Sequence, residues 1–465
     1  MYFESFFDEN LAQKSYLIGC QRTGEALVID PARDLSAYFE TAEKEGFTLS
    51  AAAETHIHAD FVSGAKEMAK QAEATLYLSN EGEADWKYQY VEYIAHQLLN
   101  DGDVFYVGNI KLEVMHTPGH TPESLSFILT DEGGGADTPM GVFTGDFVFV
   151  GDVGRPDLLE KAAGETGSSE SSAATMYDSI QRFKSLPDYV QIWPGHGAGS
   201  ACGKSLGSVP LSTVGYEKRT NWAFQIEDRA TFVQQLLEGQ PEPPKYFAMM
   251  KKLNKEGPAY VNQQSVSMMD LDQLDTEKQF VVDTRPSSAF AEGHLPGTIN
   301  IPFNASFANW AGWLLPYNQE ISLIGDPSHR EDIQKVLQSI GLDHLKGMVD
   351  AQELENMSKL ETYEEISAAQ LKEYFRHEEE FLIVDVRYQS EWDAGHIENA
   401  LHVMLGDLPE RINEIPADKT PIVHCRSGAR AAIAVSILQA NGFKQTKNLK
   451  GGYLAWTKAK YPVTS

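Results

Sequence analysis

Two groups of side chains in this sequence have types and spacing suited to chemistry. The first is Thr55-His56-Ile57-His58-Ala59-Asp60, followed by His116-Thr-Pro-Gly-His120, Thr144-Gly-Asp146 and Pro194-Gly-His196. Imidazoles and carboxylates hold first-row metals, and a spacing of two puts His56 and His58 on one side of an extended backbone. A single His or Asp at a strand end usually caps a helix or satisfies a buried donor. Four such groups, each after a short apolar run, converge in a layered fold and make a metal constellation. The second group is Ile422-Val-His-Cys425-Arg-Ser-Gly-Ala-Arg430. A cysteine between a β-rich run and the helix-forming stretch 431–439 sits at a helix mouth. Backbone N–H groups of Arg426, Ser427, Gly428, Ala429 and Arg430 favour thiolate there and stabilise a persulfide anion. Arg426 and Arg430 add positive charge for anionic donors or acceptors.

These residues need strands and helices to position them. Ala26–Asp30, Leu112–Met115, Met140–Thr144 and Val190–Trp193 read as buried strands, and Leu49–Ala53 is the apolar run leading to His56. Helical periodicity runs from Phe61 to Ala72 and from Ala173 to Leu186, giving an α/β layer pattern. The polar stretches Asp131–Pro139 and Gly164–Thr175 read as surface loops, and Gly239–Lys245 as a stiff connector. A first domain of residues 1–258 follows.

The remainder contains a repeat. Val281-Val-Asp-Thr-Arg285, Phe290-Ala-Glu-Gly-His294 and Gly297–Ile301 recur as Ile383-Val-Asp-Val-Arg387, Trp392-Asp-Ala-Gly-His396 and Asn399–His402, an offset of 102. Ile321–Arg330 aligns with Pro421–Arg430 at an offset of 100, which sets Gly325 opposite Cys425 and Asp326 opposite Arg426. Two copies of one α/β unit result, at 259–355 and 360–465. The first has no thiol to form a persulfide and is read as a packing or docking module.

Length and charge narrow the function classes. The 465 residues suggest about three domains. Lys and Arg number 38 against 67 Asp and Glu, a net charge of −29 that disfavours nucleic acid and anionic lipid as partners. No uncharged apolar run approaches the ~18 residues of a membrane span, and the acidic start lacks a signal-peptide pattern, so a cytoplasmic protein is expected. The three cysteines, Cys20, Cys202 and Cys425, imply no disulfide framework.

At its metal constellation the sequence resembles the metallo-β-lactamase superfamily. That superfamily usually reads His-x-His-x-Asp-His, and Phe61 stands where the last His belongs, which argues for one metal. Together with Gly151-x-x-Gly154-Arg155-Pro156-Asp157, the motifs look like the persulfide dioxygenases. The resemblance implies an αββα sandwich and one Fe(II) held by His56, His116 and Asp146. Three open positions would then take dioxygen and a persulfide sulfur. It also implies that His58, Asp60 and His196 orient ligands or substrate. Arg155 is either an anion contact for the substrate or a partner of Asp152 or Asp157. Cys202 is either a small packed residue or a thiol near the metal that carries sulfane sulfur, and Cys20 is read as core.

Around Cys425, with Asp385, Gly395-His396 and Asn448–Trp456, the sequence resembles a rhodanese. Four residues separate Cys425 from Arg430, the short loop of sulfurtransferases rather than the longer one of related phosphatases. The combined resemblance implies two rhodanese-like α/β domains after the sandwich, the first degenerate. The expected reaction oxidises a low-molecular-weight thiol persulfide to sulfite and thiol, while Cys425 persulfide interconverts sulfite and thiosulfate in either direction. No motif marks the carrier thiol, and glutathione, coenzyme A, bacillithiol and cysteine persulfides all fit. The resemblance also suggests a homo-oligomer. The rival readings are a zinc thioester hydrolase of the glyoxalase II kind and a sulfur-carrier or persulfide-sensing protein.

Overall fold

The structure is a computed structural model that describes residues 1–158, 168–200, 202–204, 206–240, 242–262, 264–375 and 381–464. It divides into two compact units, the first comprising Met1–Val261 with Gln338–Gly341, the second Asn262–Leu337 with Leu342–Ser465.

In the first unit β1 (Tyr2–Asp8), β2 (Gln13–Cys20), β3 (Glu25–Ile29), β4 (Thr48–Ala53), β5 (Thr75–Ser79) and β6 (His96–Leu99) form one sheet in that order. A second sheet runs β12 (Ser212–Thr213), β11 (Gln191–Pro194), β10 (Gly141–Gly145), β9 (Leu125–Asp131), β8 (Ile110–His116) and β7 (Val104–Val107). Side-chain alternation along the strands sets the layers. Tyr16, Ile18, Leu27 and Ile29 point between the sheets to meet Leu112, Phe127, Phe143 and Trp193. The intervening Leu17, Ala26 and Val28 face Tyr38 and Ala42 of the helix Ser36–Glu45 and Met68 of the helix Ala65–Gln71. The other sheet turns Val142 and Ile192 outward against Met176, Ile180 and Phe183 of the helix Ser168–Phe183. An αββα sandwich results.

Two sequence expectations need correction. The stretch 164–175 is helical from Ser168, because burying the stripe Ala173, Met176, Ile180 and Phe183 outweighs the small polar residues at its start; residues 164–167 lie outside the described residues. The helix expected from Phe61 begins only at Ala65, since residues 61–64 follow the irregular loop that carries the site.

The second unit holds two parallel sheets. One runs β14 (Ile299–Asn300), β13 (Phe280–Asp283), β15 (Ile321–Gly325), β16 (Leu345–Asp350). The other contains β17 (Glu364–Ile366), β18 (Phe381–Asp385), β20 (Leu401–His402), β21 (Thr420–His424) and β22 (Lys447–Leu449), in the order β17-β22-β21-β18-β20. A separate antiparallel pair joins β19 (His396–Ile397) to β23 (Val463–Thr464). The repeated signatures have structural jobs. Arg285 forks onto the buried Asp283 and reaches the carbonyl of Gly293 at 2.9 Å, and Arg387 does the same with Asp385 and Gly395. The His after each glycine donates to the carbonyl four residues earlier and stacks on that residue's ring, His294 on Phe290 and His396 on Trp392. Both copies thus close the turn after their first central strand by one device.

Leu27, fully buried between the two sheets of the first unit, offers a test of that core. Leu27→Ala should destabilise the first unit by about 2–5 kcal/mol, read as a lower urea midpoint with an unchanged slope.

Candidate metal centre and thiol loop

The first site forms where β4, β8, β10 and β11 end. After Ala53 the chain leaves the extended conformation, and the rings of His56 and His58 lie side by side, 4.2 Å between centroids. Asp30, at φ 50°, accepts from the backbone N–H and the hydroxyl of Thr55 at 2.7 and 2.8 Å. Because that hydroxyl gives its proton to Asp30, it accepts from Nδ1 of His56 at 3.0 Å, and Nε2 of His56 is left with its lone pair exposed to the site. His120 reaches the same tautomer by another route, its Nδ1 donating to the carbonyl of Arg155 at 3.0 Å. Both Nε2 atoms face Oδ2 of Asp146, at 3.9 and 3.6 Å.

The other oxygen of Asp146 is engaged. His196 donates from Nδ1 to Asp146 Oδ1 and from Nε2 to Asp60 Oδ2, each at 2.6 Å. Burial opposes a charge on this imidazole, but the two carboxylates outweigh it and hold His196 protonated well above its ordinary range. Burial likewise works against the Asp146 carboxylate, and the charge and hydrogen bond of His196 dominate and keep it ionised. His56 and His120 titrate below the ordinary histidine range, chiefly through burial, as neutral metal ligands should.

His56, His120 and Asp146 therefore fit a cation. Their ligand atoms lie within 4.8 Å of one another. Nε2 of His56 and Oδ2 of Asp146 are buried without a hydrogen-bond partner, and the gap between them suits an ion roughly 2.0–2.2 Å from each donor. Gly145 makes this approach possible: it has φ 49°, and a Cβ there would lie 2.3 Å from the Thr55 hydroxyl.

His116, expected as a ligand, lies outside this group. It is the last residue of β8, its side chain is partly exposed, and its Nε2 donates to the carbonyl of Pro122 at 2.8 Å. The turn through Gly119 carries the chain back into the site four residues later, so the second histidine of the His-Thr-Pro-Gly-His motif enters. His58, beside His56, has its Nε2 3.1 Å from Asp30 Oδ1; burial lowers its pKa, but Asp30 outweighs this and raises it to about 9. Arg155 is fully buried and forks onto Asp157 at 2.8 and 2.7 Å. Cys202 is buried with its sulfur in a second cluster with Asp60 and His196. Burial, then the charges of Asp60 and Asp146, push its thiol well above the ordinary range.

Sequence reading missed three supports. Asn254, on the helix Tyr246–Glu256, donates to the carbonyls of His58 and Phe61 and accepts from the N–H of Ser63, which clamps the loop after the ligands. Glu123 accepts from the N–H of Ile57 at 2.8 Å, and burial raises its pKa to about 7. Glu54 is buried beside them. Each acts across more than sixty residues or as a lone polar group, and local spacing carries no signal for it.

The second site is built from β21 and the helix Ala429–Ala440. Cys425 follows the strand, and the N–H of Gly428, at φ 105°, points to its sulfur at 3.1 Å. The underside of the loop is closed by Tyr453 and Leu454, whose N–H groups reach the carbonyls of Cys425 and Arg426. Arg426 and Ser427 are exposed, whereas Arg430 forks onto Glu391 at 2.6 and 2.9 Å and lies over Tyr388. In the first copy Gly325 ends the equivalent strand, and a Cβ there would lie 2.2 Å from the hydroxyl of Thr284.

Residues 9–196 match the metallo-beta-lactamase superfamily, and residues 269–353 and 367–459 each match the rhodanese-like domain. The crystal structure of a metallo-beta-lactamase from Staphylococcus aureus subsp. aureus COL is 49% identical, covering 75% of this chain and 99% of that one with a TM-score of 0.69. The chain belongs to the metallo-β-lactamase superfamily and carries two rhodanese-like domains. The metallo-β-lactamase domain is 27% identical over 220 residues to the mitochondrial persulfide dioxygenase ETHE1 of Bos taurus, covering 46% of this chain and 72% of that protein. Proteins bearing the name of zinc-dependent hydrolases of polyketide biosynthesis match a similar share of the chain at 29% identity. A sulfurtransferase of Allochromatium vinosum is 35% identical over 101 residues, 22% of this chain and 94% of that protein.

The ligand assignment has a direct test. His120→Ala should lose the metal that the wild-type chain retains, measured by elemental analysis after loading and desalting, whereas His116→Ala should keep it. The opposite result would restore His116 as the ligand.

Proposed function

We propose that the protein is an iron-dependent persulfide dioxygenase joined to a sulfurtransferase, on domains at 1–258, 259–355 and 360–465. The observation that carries this is the His56–His120–Asp146 trio, whose ligand atoms converge within 4.8 Å. Phe61, buried against His58, stands where the superfamily's second-metal histidine belongs, which supports one metal over the two-zinc thioester hydrolase. The relationship to a persulfide dioxygenase and the intact Cys425 loop support the same reading.

The overall reaction at the first site is RSSH + O2 + H2O → RSH + SO3²⁻ + 2 H⁺. His56, His120 and Asp146 would hold a ferrous ion, which would supply open positions for dioxygen and the persulfide sulfur. The chain's own residues set the conditions. Thr55 with Asp30, and the carbonyl of Arg155, fix the tautomers of His56 and His120. His196 holds Asp146 so that Oδ2 faces His56 and His120, and Phe149 packs against His196 at a ring separation of 6.4 Å. Cys202 stands beside these groups as a candidate carrier of sulfane sulfur. At the second site, sulfite attacks the outer sulfur of Cys425 persulfide, the Sγ–S bond breaks, and thiosulfate leaves with Cys425 as thiolate. Placing both sites on one chain raises the effective concentration of sulfite.

The test is oxygen uptake by the iron-loaded protein given glutathione persulfide and coenzyme A persulfide, with sulfite and thiosulfate quantified. Uptake with thiosulfate formation is expected, and no uptake with either persulfide would refute the dioxygenase reading. Cys425→Ser should keep uptake and shift the product to sulfite; unchanged thiosulfate would remove Cys425 from the reaction. Cys202→Ser should slow turnover, and unaltered turnover and products would return Cys202 to a packing role.

A further inference from the structure

A cavity of about 560 Å³ lies in the second unit where its two rhodanese-like modules meet. Its walls come from both. Phe303, Asn309 and Trp310 belong to the module without a cysteine, and Tyr388, Arg430 and Ile433 to the module with Cys425. Arg430 is the residue that closes the loop beginning at Cys425, so the cavity lies beside the far end of that loop, where Ala429 and Arg430 line it. The modules are tied at this seam, the N–H of Asn300 donating to the hydroxyl of Ser436 on the helix that carries Arg430. Aromatic contact continues the tie. Trp310 stacks with Tyr388 at 6.4 Å between ring centroids and 23° between planes, and the guanidinium of Arg430 sits 5.2 Å from the Tyr388 ring.

Size and lining indicate what the cavity takes. Its volume falls within the roughly 300–1,000 Å³ of pockets for small organic ligands, far beyond the need of sulfite or thiosulfate. Flat aromatic faces with two amides and one guanidinium suit the body of an organic molecule, and the sulfur end of that molecule would lie toward Cys425. We propose that this cavity binds the organic body of a low-molecular-weight thiol persulfide, and that the module lacking a cysteine selects the sulfur carrier for Cys425. The inference rests on the sulfurtransferase reading and names its substrate side. In the transfer, the Cys425 thiolate attacks the outer sulfur of RS–SH. A new Sγ–S bond forms, the carrier's S–S bond breaks, and RS⁻ leaves with the electron pair. The outer sulfur and its proton remain on Cys425, with no net oxidation.

The experiment compares two reactions of the full chain without dioxygen. One is thiosulfate with cyanide, which needs Cys425 but no organic carrier. The other is glutathione persulfide or coenzyme A persulfide with sulfite. Trp310→Ala should raise KM for at least one organic persulfide about tenfold, as expected for a lost aromatic wall, while the cyanide reaction keeps its kcat/KM. Trp310→Phe should recover most of the affinity. A parallel fall in both reactions would mean that Trp310 merely props the loop, and unchanged KM values would mean the carrier binds elsewhere; either overturns the proposal. Calorimetry with glutathione and with coenzyme A separates the two levels of inference. If the wild-type chain lacks the cyanide reaction, sulfur transfer fails, yet thiol binding weakened by Trp310→Ala would still establish the cavity. Absence of binding by both thiols would overturn it.

Discussion

The first site depends on a carboxylate that must stay charged without water. Asp146 is buried, and a lone ionised carboxylate there would be prohibitively costly. It is met on one side by a hydrogen bond from His196, which Asp60 steadies in turn. Its other oxygen has no hydrogen-bond partner and faces two imidazoles whose lone pairs point inward. Removing one partner of such a buried pair costs on the order of 3–5 kcal/mol, so the geometry that suits a metal and the packing at this end of the sandwich are one arrangement.

The second unit solves a different problem, which is to present sulfur on a short loop without letting the loop collapse. Gly428 turns its N–H to Cys425, Gly452 allows the chain to pass beneath, and Glu391 holds Arg430. Backbone groups face the sulfur while the charged side chains sit at the rim. The Asp-x-Arg fork under both copies shows that this scaffold persists where the thiol does not.

Much of this was legible because it is local. Apolar runs marked β3, β10 and β11, the 102-residue repeat marked two equivalent sheets, and the Cys425 loop stood out by its spacing. The choice between His116 and His120 was not legible. One ends the strand and the other follows it closely, and the decision lies in a turn at Gly119 and in the carbonyl of Arg155, thirty-five residues from His120. Asn254 and Asp30 were invisible for the same reason: each is a single polar residue whose partners arrive from elsewhere in the chain. Small polar residues at the start of the helix Ser168–Phe183 misled because tertiary burial overrode them.

The hydroxyl of Thr284 fills the space that a side chain on Gly325 would need, while it donates to the carbonyl of Ile324. The second copy has Val386, which has the shape of threonine, at the matching position and still accommodates Cys425, so the neighbour is not by itself a bar to a thiol. A side chain at Gly325 would also meet Met348 Cε, 2.8 Å away. Returning a cysteine to the first copy is therefore a matter of repacking Thr284 and Met348 around it, rather than of exchanging one residue on an otherwise unchanged strand.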